Sequence, residues 1–173
     1  MTQRYTFTAK ALHWIMAVGF ISLFTLGFYM QSLPFSPTKL QVYSWHKWAG
    51  VTLFLLATFR LLWRLTHPAP ALPQTMSPAA RVLAHAGHHA LYVLMFAVPL
   101  SGWLMSSAMG FQTVWFGILP LPDLLSKNKE LADVLGATHA YLNWAFIAAV
   151  VGHILAALKH QFIDKDNLLA RIK

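Results

Sequence analysis

Four long apolar stretches most constrain what this chain can fold into. They cover residues 11–30, 44–65, 82–108 and 136–158, and each is long enough for a helix to cross about 30 Å of hydrocarbon at 1.5 Å per residue. A chain crosses a bilayer as helices or as a closed barrel, because unpaired backbone groups find no water there. The stretches therefore predict an all-α integral membrane protein, a four-helix transmembrane bundle that forms a single domain over residues 1–173.

The composition agrees with a lipid-facing protein. Hydrophobic residues make up 57% of the chain and charged residues only 10%, whereas soluble domains are about a quarter charged. The absence of cysteine excludes disulfides, cysteine zinc sites and iron–sulfur clusters. The net charge of +8 would suit nucleic acid in a soluble protein. In a membrane protein it reports cytoplasmic loops, so no nucleic-acid partner is expected.

Breakers and basic residues predict how the helices are connected and oriented. Proline-rich segments separate the stretches, and Pro99 interrupts the third. The segment 110–135 is the only loop large enough for structure of its own. With four spans, the N-terminus, the loop 66–81 and the C-terminus share one side, which carries nine lysines and arginines against four on the other. Both termini are therefore expected in the cytoplasm.

Nine histidines are unusual in a chain so poor in charge. His139 and His153 lie fourteen residues apart, so they share one face of the fourth helix and are separated by about 21 Å along its axis. His46 is expected at the depth of His139, and His13 at the depth of His153. Neutral imidazole binds iron well, and a flat porphyrin fits between facing helices. The pattern predicts two b-type haems, each with two histidine ligands.

The same fourteen-residue interval recurs on the first two helices. It leads from His13 to Gly27 and from His46 to Arg60. A glycine beside the periplasmic-side haem would leave room for the ring, and a guanidinium beside the cytoplasmic-side haem could pair with a propionate. Close helix packing explains the glycine equally well, and snorkelling to the surface explains the arginine.

A separate histidine cluster lies at the cytoplasmic end of the third helix. The spacings put His85 on one face with both His88 and His89, level with the cytoplasmic-side haem. These histidines could bind haem propionates, relay protons to a quinone, or replace His13 or His153 as an axial ligand. A bare metal site there would have no carboxylate or thiol partner nearby.

The chain resembles the bacterial cytochrome b561 family over nearly its whole length. The motifs that carry the resemblance are Leu12–His13–Trp14, HKWAGVTLFLLATFRLLWRLTHPAP from His46, LAHAGHHALYVLMFAVPLSGW from Leu83, and the His139…His153 pair followed by KHQFIDKD. Their order and spacing together are specific. The tail departs slightly, since the family usually has Arg–Met near its end and here Arg171 precedes Ile172. That difference affects no proposed ligand.

The resemblance implies a four-helix protein of the bacterial inner membrane that binds two haems b. The related cytochrome b subunits of formate dehydrogenases and hydrogenases ligate haems from helices 1, 2 and 4. Carried over, this gives His13 with His153 and His46 with His139. The resemblance also implies ubiquinone as a redox partner, and some members of the family resemble superoxide oxidases that take electrons from periplasmic superoxide.

These observations predict transmembrane electron transfer through two haems, to or from ubiquinone, with membrane lipid around the protein. The candidate donors are superoxide, which the resemblance implies for some members, and a redox protein. Periplasmic lysines could attract an anionic donor or could only solvate loops; they are Lys39, Lys47, Lys127 and Lys129. Two alternatives stay open. One is a membrane-anchor cytochrome b subunit of a periplasmic dehydrogenase, and the other is a haem-free protein whose histidines transport metals or protons.

Overall fold

Four long helices dominate the computed structural model, which describes residues 4–73, 76–166 and 168–173. They are α1 (Phe7–Ser32), α2 (Pro37–Thr66), α3 (Pro78–Met109) and α4 (Lys129–Lys159). A π-helical turn (His160–Asp164) and a short 3₁₀ turn (Leu168–Arg171) follow α4. Within the described residues, all four long helices are long and apolar enough to span a membrane. The prediction of four membrane-spanning helices is therefore confirmed.

The helices are longer than the apolar stretches because polar residues cap and extend them. Each N-cap side chain accepts a hydrogen bond from the backbone N–H three residues later; the caps are Thr6, Ser36, Ser77 and Asn128. Residues 129–135, assigned to a loop from the sequence, belong to α4. Pro99 also lies inside α3 without ending it.

The remaining part of the α3–α4 connection forms a small hairpin against α2. Val114–Trp115 pairs antiparallel with Leu119–Pro120. The Trp48 indole donates a hydrogen bond to the carbonyl of Val114 (2.6 Å), and the Trp115 indole donates to the hydroxyl of Thr52 (3.3 Å). The loop that was predicted to carry structure of its own therefore forms a hairpin, and hydrogen bonds of two tryptophan indoles hold it against α2.

The bundle is built from two helical hairpins, α1–α2 and α3–α4, whose members pack extensively on each other. Across the gap between α1 and α4, the contact is aromatic. Phe20 and Phe24 meet Phe146 edge to face, with ring centroids 4.9 and 5.3 Å apart. Phe146 is only 2% exposed and belongs to an apolar core near the middle of the helices, together with Leu53 and Val98. This core separates the two ends of the bundle.

The first described residues of the chain and its last residues lie at one end of the bundle. The backbone N–H of Tyr5 donates to the carbonyl of Arg171 (3.2 Å), and the Trp14 indole donates to the carbonyl of Ile172 (3.0 Å). We call this the terminal end, and we call the opposite end, which carries the hairpin, the loop end. The assignment of the terminal end to the cytoplasm stays a prediction from the basic residues.

Candidate functional site

The first histidine pair lies at the terminal end. His13 of α1 and His153 of α4 are half-buried, and their ring centroids are 6.2 Å apart at an interplanar angle of 66°. Two imidazoles that bind one iron from opposite faces have ring centres about 6 Å apart, since a metal–imidazole bond is about 2 Å and the nitrogen lies about 1 Å from its ring centre. The observed spacing fits such a pair of axial ligands.

The second pair, His46 of α2 and His139 of α4, lies at the loop end and is also half-buried. Glycines of the two other helices, Gly27 of α1 and Gly102 of α3, lie against these two rings. The Nδ1 atom of His46 is buried and has no hydrogen-bond partner in the described part of the chain. An unsatisfied buried nitrogen costs about 1–3 kcal/mol, so this ring is suited to receiving a ligand.

The orientation of His139 is fixed from α3. Its Nδ1 atom lies 3.1 Å from the carbonyl oxygen of Val98 and 2.9 Å from the hydroxyl oxygen of Ser101, which itself donates to Val98 at 2.7 Å. Because the carbonyl only accepts, Nδ1 carries the proton and Nε2 keeps its lone pair. A hydrogen bond of this kind sets the tautomer and direction of metal-binding histidines.

Two glycines lie directly against the loop-end rings. A Cβ atom at Gly27 would lie 3.3 Å from Cε1 of His46, and one at Gly102 would lie 3.0 Å from Cε1 of His139. Each glycine lets a neighbouring helix approach an imidazole more closely than alanine would allow. The expected place of Gly27 beside the loop-end histidines agrees with this contact. The roles of Gly102 and Ser101 were not found from the sequence.

All three histidines of the third-helix cluster are exposed, but only one of them approaches the terminal-end pair. The ring centroid of His88 lies 5.4 Å from that of His153, so three helices bring imidazoles to the terminal-end pair. His85 and His89 are exposed, and Nδ1 of His89 bonds to the carbonyl of His85 at 2.8 Å. Only His88 therefore approaches the pair closely enough to compete as a ligand or to contact what the pair binds.

Arg60 supplies positive charge at the same level. Its Nη1 donates to the carbonyl of Ala9 at 3.1 Å, and its charge acts on His13 and His153. The described residues hold no carboxylate in an ion pair with Arg60. A haem propionate would supply the missing anion, so the donor set at this end fits a haem.

The remaining histidines lie outside both pairs. His67 is exposed and stacks on Trp63 with centroids 4.0 Å apart. Nδ1 of His160 lies 3.1 Å from a carboxylate oxygen of Asp164 and 2.7 Å from one of Asp166. Lys159 also pairs with Asp164, so these polar groups cluster where α4 ends.

Comparison with known proteins gives a consistent family match. The model of the family described as prokaryotic cytochrome b561 matches residues 4–173. Cytochrome b561 homolog 2 of Escherichia coli (strain K12) is 37% identical over 171 residues, covering 98% of this chain and 91% of the relative. The protein named "Probable superoxide oxidase CybB" of Yersinia pestis is 31% identical over 178 residues, covering 99% and 97%. Cytochrome b561 homolog 1 of Escherichia coli (strain K12) is 28% identical over 179 residues, covering 98% and 96%.

Proposed function

The chain belongs to the prokaryotic cytochrome b561 family, and from that premise we propose that it carries electrons across the bacterial inner membrane through two b-type haems. The family implies a b-type haem and an electron-transfer role in a multi-pass membrane protein. The proposal adds the number of haems and their ligands: His13 with His153 at the terminal end, and His46 with His139 at the loop end. The 6.2 Å spacing of the His13 and His153 rings is the observation that carries it.

When bound, haem supplies a one-electron couple, and the chain's own residues hold and tune it. His139 is locked in the tautomer that leaves Nε2 free, through the carbonyl of Val98. Arg60 offers a guanidinium to a propionate at the other end. Between the two levels lies the apolar core around Phe146. The fourteen-residue interval on α4 separates the two ligands by about 21 Å, which is most of the apolar thickness of a bilayer.

We propose ubiquinone as one redox partner and superoxide as a donor at the loop end. The name of the Yersinia pestis relative supports the superoxide donor, at 31% identity. Of the loop-end lysines, Lys129 is paired with Asp133. Lys39 and Lys47 bond to backbone carbonyls at 2.6 and 3.1 Å, and neither forms an ion pair within the described residues. This positive charge would draw an anion towards the loop end.

The spectrum of the purified protein tests the proposal. We expect b-type bands on reduction and about two haems per chain in the pyridine haemochrome assay. Superoxide and ubiquinol are added separately as electron donors, and reduction of the haems by either compound identifies it as a donor. A colourless preparation from haem-replete cells would contradict the proposal and favour histidine-based transport. Co-purification of a catalytic subunit would instead indicate an anchor subunit of a dehydrogenase.

The Ser101 hydroxyl provides a graded test of how His139 is held. Ser101→Ala removes one acceptor from the Nδ1 proton and leaves the Val98 carbonyl in place. We expect the affinity for the loop-end haem to fall several-fold. Loss of a metal ligand's hydrogen-bond partner costs roughly 10–100-fold in affinity, and the effect here should lie at or below the lower limit because the Val98 carbonyl remains. Haem titration of the apoprotein measures the change. Ser106→Ala is the control, because its hydroxyl bonds to Phe111 instead; equal affinities in the two variants would contradict the role of Ser101.

A further inference from the structure

The hairpin between α3 and α4 reaches deep along α2. Hydrogen bonds from the Trp48 and Trp115 indoles hold it there, and the second of these bonds ends on the Thr52 hydroxyl. Thr52 lies near the middle of α2 (Pro37–Thr66), and the next residue, Leu53, belongs to the apolar core. The hairpin therefore lies beside the membrane-spanning part of α2 and not beyond its end.

The apolar core marks the middle of the bilayer. Phe20, Leu53 and Phe146 each lie close to the middle of their own helix, and a bilayer centred there has about 15 Å of hydrocarbon on either side. Trp48 lies five residues from Leu53, which is about 7.5 Å along the helix axis. A Cβ atom at Gly117 would lie 3.9 Å from the Trp48 ring. The turn of the hairpin therefore lies at hydrocarbon depth, in the leaflet at the loop end.

The composition of the hairpin fits this depth. The segment 111–122 contains no lysine, arginine, aspartate or glutamate, and Asp123 is the first charged residue after it. At the tip, three large apolar side chains are exposed: Ile118 by 84%, Phe116 by 55% and Leu119 by 51%. Apolar patches of this kind mark contacts with a membrane or with another protein.

The backbone of the hairpin also meets the main requirement for a place inside a membrane. Polar backbone groups at that depth must find their hydrogen bonds within the protein, because hydrocarbon offers none. Besides the pairing of the two strands, three backbone N–H groups donate to carbonyls of the same segment: Gly117 to Val114 (3.1 Å), Ile118 to Trp115 (3.0 Å) and Leu121 to Thr113 (2.8 Å). Pro120, in the second strand, has no N–H to satisfy.

We propose that this hairpin inserts into the leaflet at the loop end and presents its apolar tip to phospholipid acyl chains. The tip continues the lipid-facing surface of the helices. Phe28 of α1 is 52% exposed and lies about 12 Å from Phe20 towards the loop end. A partner protein in water would have to reach below that level to contact the tip, so the depth favours lipid. The inference does not depend on haem ligation or on the proposed electron transfer.

Thiol accessibility in lipid nanodiscs tests the proposal, since nanodiscs leave both faces of the bilayer open to reagents. The chain has no cysteine, so each variant carries a single thiol. Ile118→Cys probes the tip, Ser126→Cys an exposed position in the same connection, and Val18→Cys the exposed side of α1. We expect a charged maleimide to modify the Ile118 variant at least about tenfold more slowly than the Ser126 variant, and as slowly as the Val18 variant, because charged groups are excluded from hydrocarbon.

A second measurement uses the unaltered chain, in nanodiscs that contain a phospholipid with a photoreactive acyl chain. We expect irradiation to cross-link this lipid to the segment 111–122, as mapped by peptide mass spectrometry. Reaction at residue 118 as fast as at residue 126 would place the hairpin in water and overturn the proposal. Slow reaction without lipid cross-links would show that protein covers the tip, which would overturn it too. Size-exclusion profiles report whether each variant is folded, and Leu119→Cys replaces Ile118→Cys if that variant fails to fold.

Discussion

We expect His153→Ala to remove one haem per chain and to leave the other intact, with His139→Ala giving the mirror result. Each substitution deletes a proposed haem ligand from one pair, and the pairs lie at opposite ends of the bundle, on either side of the Phe146 core. A haem held by a single histidine is lost or becomes high-spin. The haemochrome ratio should fall from about two to about one in each variant, and each should lose a different step of the redox titration.

The control for both variants is His89→Ala. His89 lies at the same end as His153, but it is exposed and its ring bonds only to the backbone of His85 among the described residues. This variant should keep both haems. The ligand assignment is wrong if the His139 and His153 variants both keep two normal low-spin haems.

The partner of His153 is decided by comparing two further variants. His13 and His88 both approach His153, at centroid distances of 6.2 and 5.4 Å. We expect His13→Ala to behave like His153→Ala, because its spacing matches two ligands on one iron. His88→Ala should keep both haems and shift only the potential of the terminal-end haem. The opposite pattern would make His88 the ligand.

Gly102→Val is expected to weaken the binding of the loop-end haem without changing a proposed ligand. A Cβ atom at this position would lie 3.0 Å from Cε1, 3.4 Å from Nδ1 and 3.7 Å from Nε2 of His139, and the branched side chain of valine has little rotational freedom to avoid the ring. The imidazole must then leave Ser101 and Val98. Overpacking of this kind costs about 1–3 kcal/mol, so we expect roughly ten- to hundredfold weaker haem binding, measured by haem titration of the apoprotein.

Gly87→Val is the matched control for that experiment. It introduces the same residue into the same helix, so the change in helix propensity is similar, but a Cβ atom at Gly87 meets nothing within 4 Å. Haem content should be unchanged in this variant. Two haems with an unaltered loop-end redox step in Gly102→Val would show that His139 does not need the space.

The spans and the two histidine levels could be predicted because both depend on local sequence. Hydropathy over some twenty residues identifies a membrane helix, and the fourteen-residue interval places His139 and His153 on one face whatever surrounds them. The sequence predicts the fourth helix from residue 136, whereas α4 begins at Lys129. Glu130 and Asp133 suggested a loop, although an acidic residue in the first turn stabilises a helix.

The supporting contacts could not be predicted, because they depend on how helices approach one another. Ser101 and Gly102 look like ordinary small residues of a membrane helix until α4 places His139 against them. In the same way, sequence spacing treats His85, His88 and His89 alike. Only the position of α4 shows that His88 approaches His153.

The division of the bundle into two helical hairpins has a consequence for the newly made protein. Each proposed ligand pair takes one histidine from the α1–α2 hairpin and one from α4, so each haem would join the two halves. A cofactor that binds only the assembled form stabilises it by mass action. In a cell short of haem, the newly inserted chain would lack the two haems that join its hairpins, and it would be more open to membrane proteases. Its lifetime would then follow the haem supply.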